Sequence, residues 1–486
     1  MTEIHLTPSH WTFLLFVVII LVSIGFRRGV VIPSIAGIFI VALVAHPGGE
    51  GPLADLVYAL QVVFKALVNS GTKLFDVMLI IALMVAMLRS LQAQGADQIM
   101  VAPLKRLMVG PWSAFLVLAV TMYVAAAFFW PTPAVALVGT VLIPVAMRVG
   151  LPALAAAVAV NLSGHGMALS ADPIIQGATK LSAGASGLLP SALFPYTLLF
   201  SLVAGSVALA AAAYTIRRDM RSGLLPAPTP DQIDAITNGA GHQSSGHASR
   251  PASTRYASLL ATAVPVVLLA IVALMIYRAI FTPHRAIVGG AATALLGGTA
   301  TILLVLSTFA AEGVHAMEGI VAHTREGFLF AVRIFAPIIP IAGFFFLGNP
   351  EHAVTVMGPG TPGFLFDLGN YVGSHLGSNP LLLSFGMTAI GVLIALDGSG
   401  FAGLPLTGSL SAALGSATGA DVAVLASLGQ IATIVAGSGT LVAWSMGAST
   451  VAGIAGVAPS RLVLRNCLPV AAGLTAITIL AAIMAH

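Results

Sequence analysis

The chain has 486 residues, 58% of them hydrophobic and only 7% charged, with a net charge of +4 and a mean hydropathy of +1.02. Water-soluble domains carry about 25% charged residues, so this composition excludes a soluble enzyme and specifies a membrane protein. The basic residues lie beside apolar segments, which reads as membrane topology and not as a nucleic-acid surface. The single cysteine, Cys467, excludes a disulfide framework and a thiolate metal cluster.

A helix needs about 20 apolar residues to cross the hydrocarbon core. Runs of that kind occupy 11–26, 30–45, 74–88, 191–214, 258–277, 286–307, 328–347 and 462–485. No basic stretch precedes the first run and no small-residue cleavage site follows it, so it reads as a span and not a cleaved signal. In chain order, the first half (1–216) is predicted to have two spans, a polar-edged helix, a third span at 74–88 and an amphipathic stretch at 92–108. Two long apolar segments interrupted at their centres follow, a hairpin at 113–147 and a broken helix at 151–181, before a closing span.

Residues 217–257 form the longest polar stretch, rich in Pro, Ser, Gly and Asn. That composition predicts a flexible cytoplasmic linker that buries nothing, so that 225–248 is dispensable. His242 and His247 within it read as solvated linker residues.

The second half (258–486) repeats the order of the first. It has two spans, a polar-edged helix at 311–326, a third span at 328–347, a connector, a hairpin at 380–414, a broken helix at 421–457 and a closing span. Each half contains an odd number of full crossings, so the second enters the membrane upside down, the inverted-topology logic of secondary transporters. The fold class predicted is therefore an all-α polytopic membrane protein with an inverted-topology repeat. With the N- and C-termini outside, fourteen of the twenty basic residues fall on the cytoplasmic side, including Arg217, Arg218, Arg221 and Arg461. Five (Lys65, Lys73, Lys180, Arg278 and Arg285) fall outside, and Arg333 lies at a membrane edge. This asymmetry predicts a multi-pass protein of the plasma (inner) membrane.

The four interruptions carry the chemistry. A helix break at bilayer depth frees backbone groups that protein, water or an ion must satisfy. The first is Trp130-Pro131-Thr132-Pro133, where two prolines remove amide donors and Thr132 caps a returning helix. Its counterpart is Asp397-Gly398-Ser399-Gly400, where glycines make the turn and Asp397 or Ser399 caps it. The two broken helices are interrupted at Asn161-Leu162-Ser163-Gly164-His165-Gly166, which runs on to Asp172-Pro173, and at Gly437-Ser438-Gly439-Thr440. Oxygens of Thr132, Asn161, Ser163, Ser399, Ser438 and Thr440, with backbone carbonyls at Gly164 and Gly437, suit a hard cation such as Na⁺. Substrate contacts are placed at Thr132, Pro133, Asn161, His165, Ser399, Gly400 and Thr440. Asp172, Asp397 and His165 are the proton-coupling candidates. No Lys or Arg lies at the breaks, so helix N-termini and hydroxyls would hold an anionic substrate.

This order of elements resembles the ion transporter superfamily: divalent anion:sodium symporters, gluconate permeases, TRAP membrane subunits and AbgT-type carriers. The resemblance spans nearly the whole chain as architecture. At the hairpin tips, only Thr132 and Ser399 keep a hydroxyl comparable to the Ser-Asn-Thr signature of the symporters. The resemblance implies a homodimer in which uninterrupted spans form a scaffold and hairpins and broken helices form a transport domain that moves as an elevator. The function expected is an ion-coupled (Na⁺ or H⁺) carrier of a small organic anion such as a carboxylate, not an enzyme, with no cofactor beyond a coupling ion. Its partners are then that substrate and the lipid bilayer. A cation/proton antiporter on the same fold is the first alternative. An intramembrane serine hydrolase built on Ser399, His165 and Asp172 is a remote second.

Overall fold

The computed structural model describes residues 6–26, 28–45, 51–243, 256–282, 287, 290–373 and 379–485. It is helical throughout, with no strand among the described residues. Among them, nine helices are long and apolar enough to cross a membrane. The fold is that of a polytopic α-helical membrane protein.

The first half opens with α1 (Pro8–Gly25), α2 (Val31–Ala45) and α3 (Pro52–Ala93). The polar-edged helix and third span expected from the sequence are one 42-residue rod in α3, about 63 Å long at 1.5 Å per residue. Its only interior glycine, Gly71, has nothing within 4 Å of where a Cβ would stand, so nothing interrupts the rod there. Gly95, left-handed at φ 71, ends it and starts the short α4 (Ala96–Val101).

Asp97 in α4 is 7% exposed with Oδ1 unpartnered, and burial pushes its carboxyl up from 3.8 to about 6. The folded state thus favours the neutral acid. That preference stabilises fully below the unfolded value and is lost as pH rises through the folded one. Asp97→Asn is therefore expected to raise thermal stability little at pH 4. The gain should grow to a plateau of about 2–3 kcal/mol above pH 6. Equal melting temperatures across that range would mean that the ionised carboxylate has a compensating partner.

Next come α5 (Pro111–Phe129), α6 (Pro131–Arg148), α7 (Ala153–Asn161), α8 (Leu169–Ala171), α9 (Gly177–Ser186) and α10 (Pro190–Arg221). α5 and α6 pack side by side from their junction at Trp130. Beyond them lie α11 (Pro230–Gln243), α12 (Ala257–Phe281), α13 (Gly290–Glu312), α14 (Ala316–Phe335), α15 (Ile338–Phe346), α16 (Pro350–Met357) and α17 (Phe364–Gly373). The span expected at 328–347 is divided. α14 runs on to Phe335 and α15 begins after Pro337, because proline cannot supply the amide that would continue the helix. The chain ends with α18 (Pro380–Ile394), α19 (Leu404–Thr418), α20 (Val422–Val435), α21 (Met446–Ala455) and α22 (Pro459–Met484).

The linker departs from its expected flexibility. Residues 230–243 form α11, which packs on α6 and α21, and Leu225, Ile233 and Ile236 lie against the larger apolar core. Threonine before proline, with Gln232 three residues on, is a helix start signal that the polar composition obscured. Residues 244–255, with His247, lie outside the described residues, as does the side chain of His242.

Two groups of helices emerge from the packing. The closing spans α10 and α22 lie against each other and against the broken helices α7, α20 and α21. Gly473 of α22 abuts the Ala204 carbonyl of α10, so the two backbones approach closely. α1–α3 and α12–α16 form the other group, and α17 bridges the two: it packs mainly on α19, while its Phe364 and Phe344 of α15 stack on Phe13 at 5.6 and 4.6 Å. The uninterrupted spans are therefore divided between the groups: α10 and α22 pack with the interrupted elements.

Candidate functional site

Both broken helices unwind into π turns, at Leu162–Ala168 and Ala436–Thr440. A π turn inserts an extra residue into a helix, is rare, and occurs frequently at functional sites. Glycines let each pack tightly. A Cβ on Gly164 would stand 2.5 Å from Met122 Cε of α5, and one on Gly166 would stand 3.3 Å from Thr440 Cγ2. Gly439 takes φ 122, a value closed to L side chains, and this redirects the chain. The two π turns pack against each other, so the breaks meet.

At that meeting point several polar groups are left over. His165 is 2% exposed, and neither ring nitrogen has a hydrogen-bond partner. Ser438 is 5% exposed with Oγ unpartnered. Gly447, in the first turn of α21, joins them. A Cβ there would overlap the Ser438 carbonyl and stand 2.6 and 2.9 Å from His165 Cδ2 and Nε2. Asn161 Oδ1 accepts from Asn466 Nδ2 of α22 at 2.9 Å, leaving Asn161 Nδ2 and Asn466 Oδ1 unpartnered. Buried polar groups in folded proteins are nearly always bonded, so this cluster of orphans makes the junction the candidate site. His165 can hold a proton, Ser438 can donate or accept, and the amides supply one of each function.

The hairpin tips close over this centre. Trp130 takes φ 69 at the first tip, and its ring lies 5.3 Å from that of Phe401 at the second. Phe335 of α14 flanks Phe401 at 6.4 Å. Gly400, with φ 72, abuts Ser438, and a Cβ on Gly437 would stand 2.9 Å from Gly400 N and Cα.

The other predicted residues sit around this centre with their own bonds. Thr132 is half-buried in the first turn of α6, and Pro133 is buried beside it. Ser399 is exposed, and its Oγ accepts from Phe401 N (3.3 Å) and Ala402 N (3.0 Å), holding the tip turn. The hydroxyl of Ser163 donates to Ala159 O at 2.6 Å and that of Thr440 to Val435 O, as helical hydroxyls commonly do. Asp172 is left-handed at φ 42, and its Oδ2 accepts from Ala178 N at 3.1 Å, capping α9. The helix it caps starts at Gly177, not at Pro173 as the sequence suggested. The Asp397 side chain lies outside the described residues. Ser399, His165 and Asp172 do not form a catalytic triad, because neither His165 nitrogen is bonded to the other two.

Sequence reasoning missed Asn466, Gln430 and Gly447. Gln430, fully buried on α20, donates to Ser170 O (2.9 Å) and Thr179 Oγ1 (3.3 Å), tying the second broken helix to the segment after the first. An amide inside an otherwise apolar span was the signal available for Asn466 and Gln430.

No family model matches the chain. It is 34% identical, over 487 residues and the full length of both proteins, to the uncharacterized membrane protein YhfA of Bacillus subtilis (strain 168). The chain belongs to the YhfA family. Among solved structures, Neisseria gonorrhoeae MtrF, described as one of a class of antimetabolite efflux pumps, superposes with a TM-score of 0.54. That match covers 99% of this chain and 96% of MtrF at 13% sequence identity. At that identity the likeness establishes the fold alone.

Proposed function

We propose that the protein is a proton-coupled secondary carrier of a small organic anion, with its site at the junction of the two π turns. The observation that carries the reading is His165, a buried titratable side chain with both nitrogens unpartnered, beside the equally unpartnered Ser438 Oγ. Asp172, the other described proton-coupling candidate, has its carboxylate engaged in capping α9. With no Lys or Arg at the breaks, helix-end amides and the neutral donors of Asn161 and Ser438 would meet the anion. In this reading the two hairpins are re-entrant, and the α5–α10 and α18–α22 group moves as an elevator within a homodimer. The linker then faces the cytoplasm and both termini face outside. The antimetabolite efflux stated for MtrF makes export of a carboxylate-bearing compound the first direction to test.

Na⁺ coupling is the second reading, favoured by the carbonyls that the π turn at Gly439 turns away from regular helix bonding. A thermal-shift panel of mono- and dicarboxylates on the purified protein selects the substrate, since a ligand that binds the native state raises its melting temperature. Flux of that compound in proteoliposomes under a pH gradient alone, and under a Na⁺ gradient alone, then separates the readings. Transport driven by pH without Na⁺ is expected. Transport driven only by Na⁺ would overturn proton coupling.

A further inference from the structure

The connection between the halves carries more structure than a tether needs. α11 opens with reciprocal capping: Thr229 N donates to Gln232 Oε1 at 3.1 Å, and Gln232 N donates to Thr229 Oγ1 at 3.4 Å. Upstream, Leu225 N donates to Asp219 O at 3.0 Å, anchoring the chain where it leaves α10. Its landing place is specific. α11 touches α6, the second arm of the first hairpin, and α21, the helix that follows the second break. Gly456, left-handed at φ 64 at the end of α21, makes room for Ile236, and a Cβ there would stand 3.2 Å from Ile236 Cγ1.

Between α11 and the surface it lies on runs a half-open groove of about 570 Å³, walled by Gln232 and Ile236 of α11 and by Met147, Pro152, Ile454 and Arg461 opposite. Close-packed interiors leave no space of that size. α11 is therefore held chiefly by the half-buried Ile233 and Ile236 against the core surface, and its detachment exposes only those contacts. Beyond the residues that follow it, the chain enters α12, which packs with α3, α4 and α13 in the other helix group. α11 thus lies on one group while the chain it belongs to runs on to the other.

We propose that α11 is an autoinhibitory strap. It clamps α6 of the first hairpin to α21 of the second broken helix and must lift before those two helices can part and open the junction of the π turns. This rests on the reading that the interrupted group moves during transport. Lifting exposes Ile233 and Ile236, so the strap re-seats spontaneously, and the protein rests in the pinned conformation.

The test uses the full-length protein with the exposed Cys467 replaced by alanine. Ile236→Cys with Gly456→Cys is expected to cross-link on oxidation, since Ile236 Cγ1 stands 3.2 Å from where a Cβ on Gly456 would be. Amide hydrogen exchange at 162–168 and 436–440 then reports opening of the site. Oxidation is expected to slow exchange there about tenfold and reduction to restore it, which controls for misfolding. Ile233→Asp with Ile236→Asp should free the strap and speed exchange in the same segments about tenfold. Failure to cross-link would overturn the proposal. So would faster exchange confined to 230–243 while both π turns stay at parental rates. If the π turns respond to pH but not to the strap, the strap fails and the transport reading stands. If they respond to neither in any variant, the moving-group reading fails as well.

Discussion

Replacing His165 with glutamine is expected to uncouple transport from the pH gradient while leaving the protein folded and monodisperse. Glutamine keeps a donor and an acceptor at similar reach but cannot take up a proton. Neither ring nitrogen of His165 is bonded, so the substitution breaks no hydrogen bond in the resting protein. Its cost should therefore appear in coupling and not in melting temperature. Losing a hydrogen bond to a charged ligand outright costs roughly 1.5–3 kcal/mol, so a variant that removes the donor should lower apparent substrate affinity about tenfold to hundredfold. Ser438→Ala, which removes the neighbouring unpartnered hydroxyl, is expected to weaken substrate binding while leaving the pH dependence in place. The measurement is proteoliposome flux against external pH for the two variants and the parent. A His165→Gln protein that retains the parental pH profile would move the proton to another group and end the present assignment.

The breaks were legible in the sequence because proline and glycine act locally. Pro131 and Pro133 cannot be accommodated within one straight helix, and Gly398 and Gly400 take positive φ where the second tip turns. That the chain is a series of apolar helices was legible for a similar reason, since hydropathy over some 20 residues is a property of the chain alone. What the broken helices do with their freed groups was not legible. Ser163 and Ser438 look alike as hydroxyls at breaks, yet Ser163 is spent on Ala159 O while Ser438 is left unpartnered. That difference depends on which carbonyl a helical turn offers nearby, and so on the pitch of each turn. Asn466 lies 305 positions from Asn161 in the chain, and no local pattern pairs them. The linker misled for the opposite reason. Its Pro, Ser and Gly content argued for disorder, while the two features that order it, the Thr229–Gln232 cap and the Ile233 and Ile236 pair, occupy only four positions.

Gly447→Ala is expected to lower both stability and transport. Two effects of opposite sign compete there. Gly447 lies in the first turn of α21, where alanine would favour the helix by up to about 1 kcal/mol. The added methyl, however, would overlap the Ser438 carbonyl and press on the His165 ring at 2.6 Å. The carbonyl belongs to the π turn and cannot swing aside as a long side chain would, so either α21 or the π turn must move. Overpacking of this kind costs roughly 1–3 kcal/mol, which outweighs the gain in propensity, and the displacement falls on the two groups assigned to the proton and the substrate. The control is Gly71→Ala in the middle of α3, where nothing lies within 4 Å of the new Cβ. That change should be neutral or slightly stabilising, because only the helix propensity term remains. Denaturant or thermal melting in detergent measures the first effect, and pH-driven flux measures the second. If Gly447→Ala melts and transports like the Gly71→Ala control, the close approach of α21 to His165 and Ser438 is not what shapes the site.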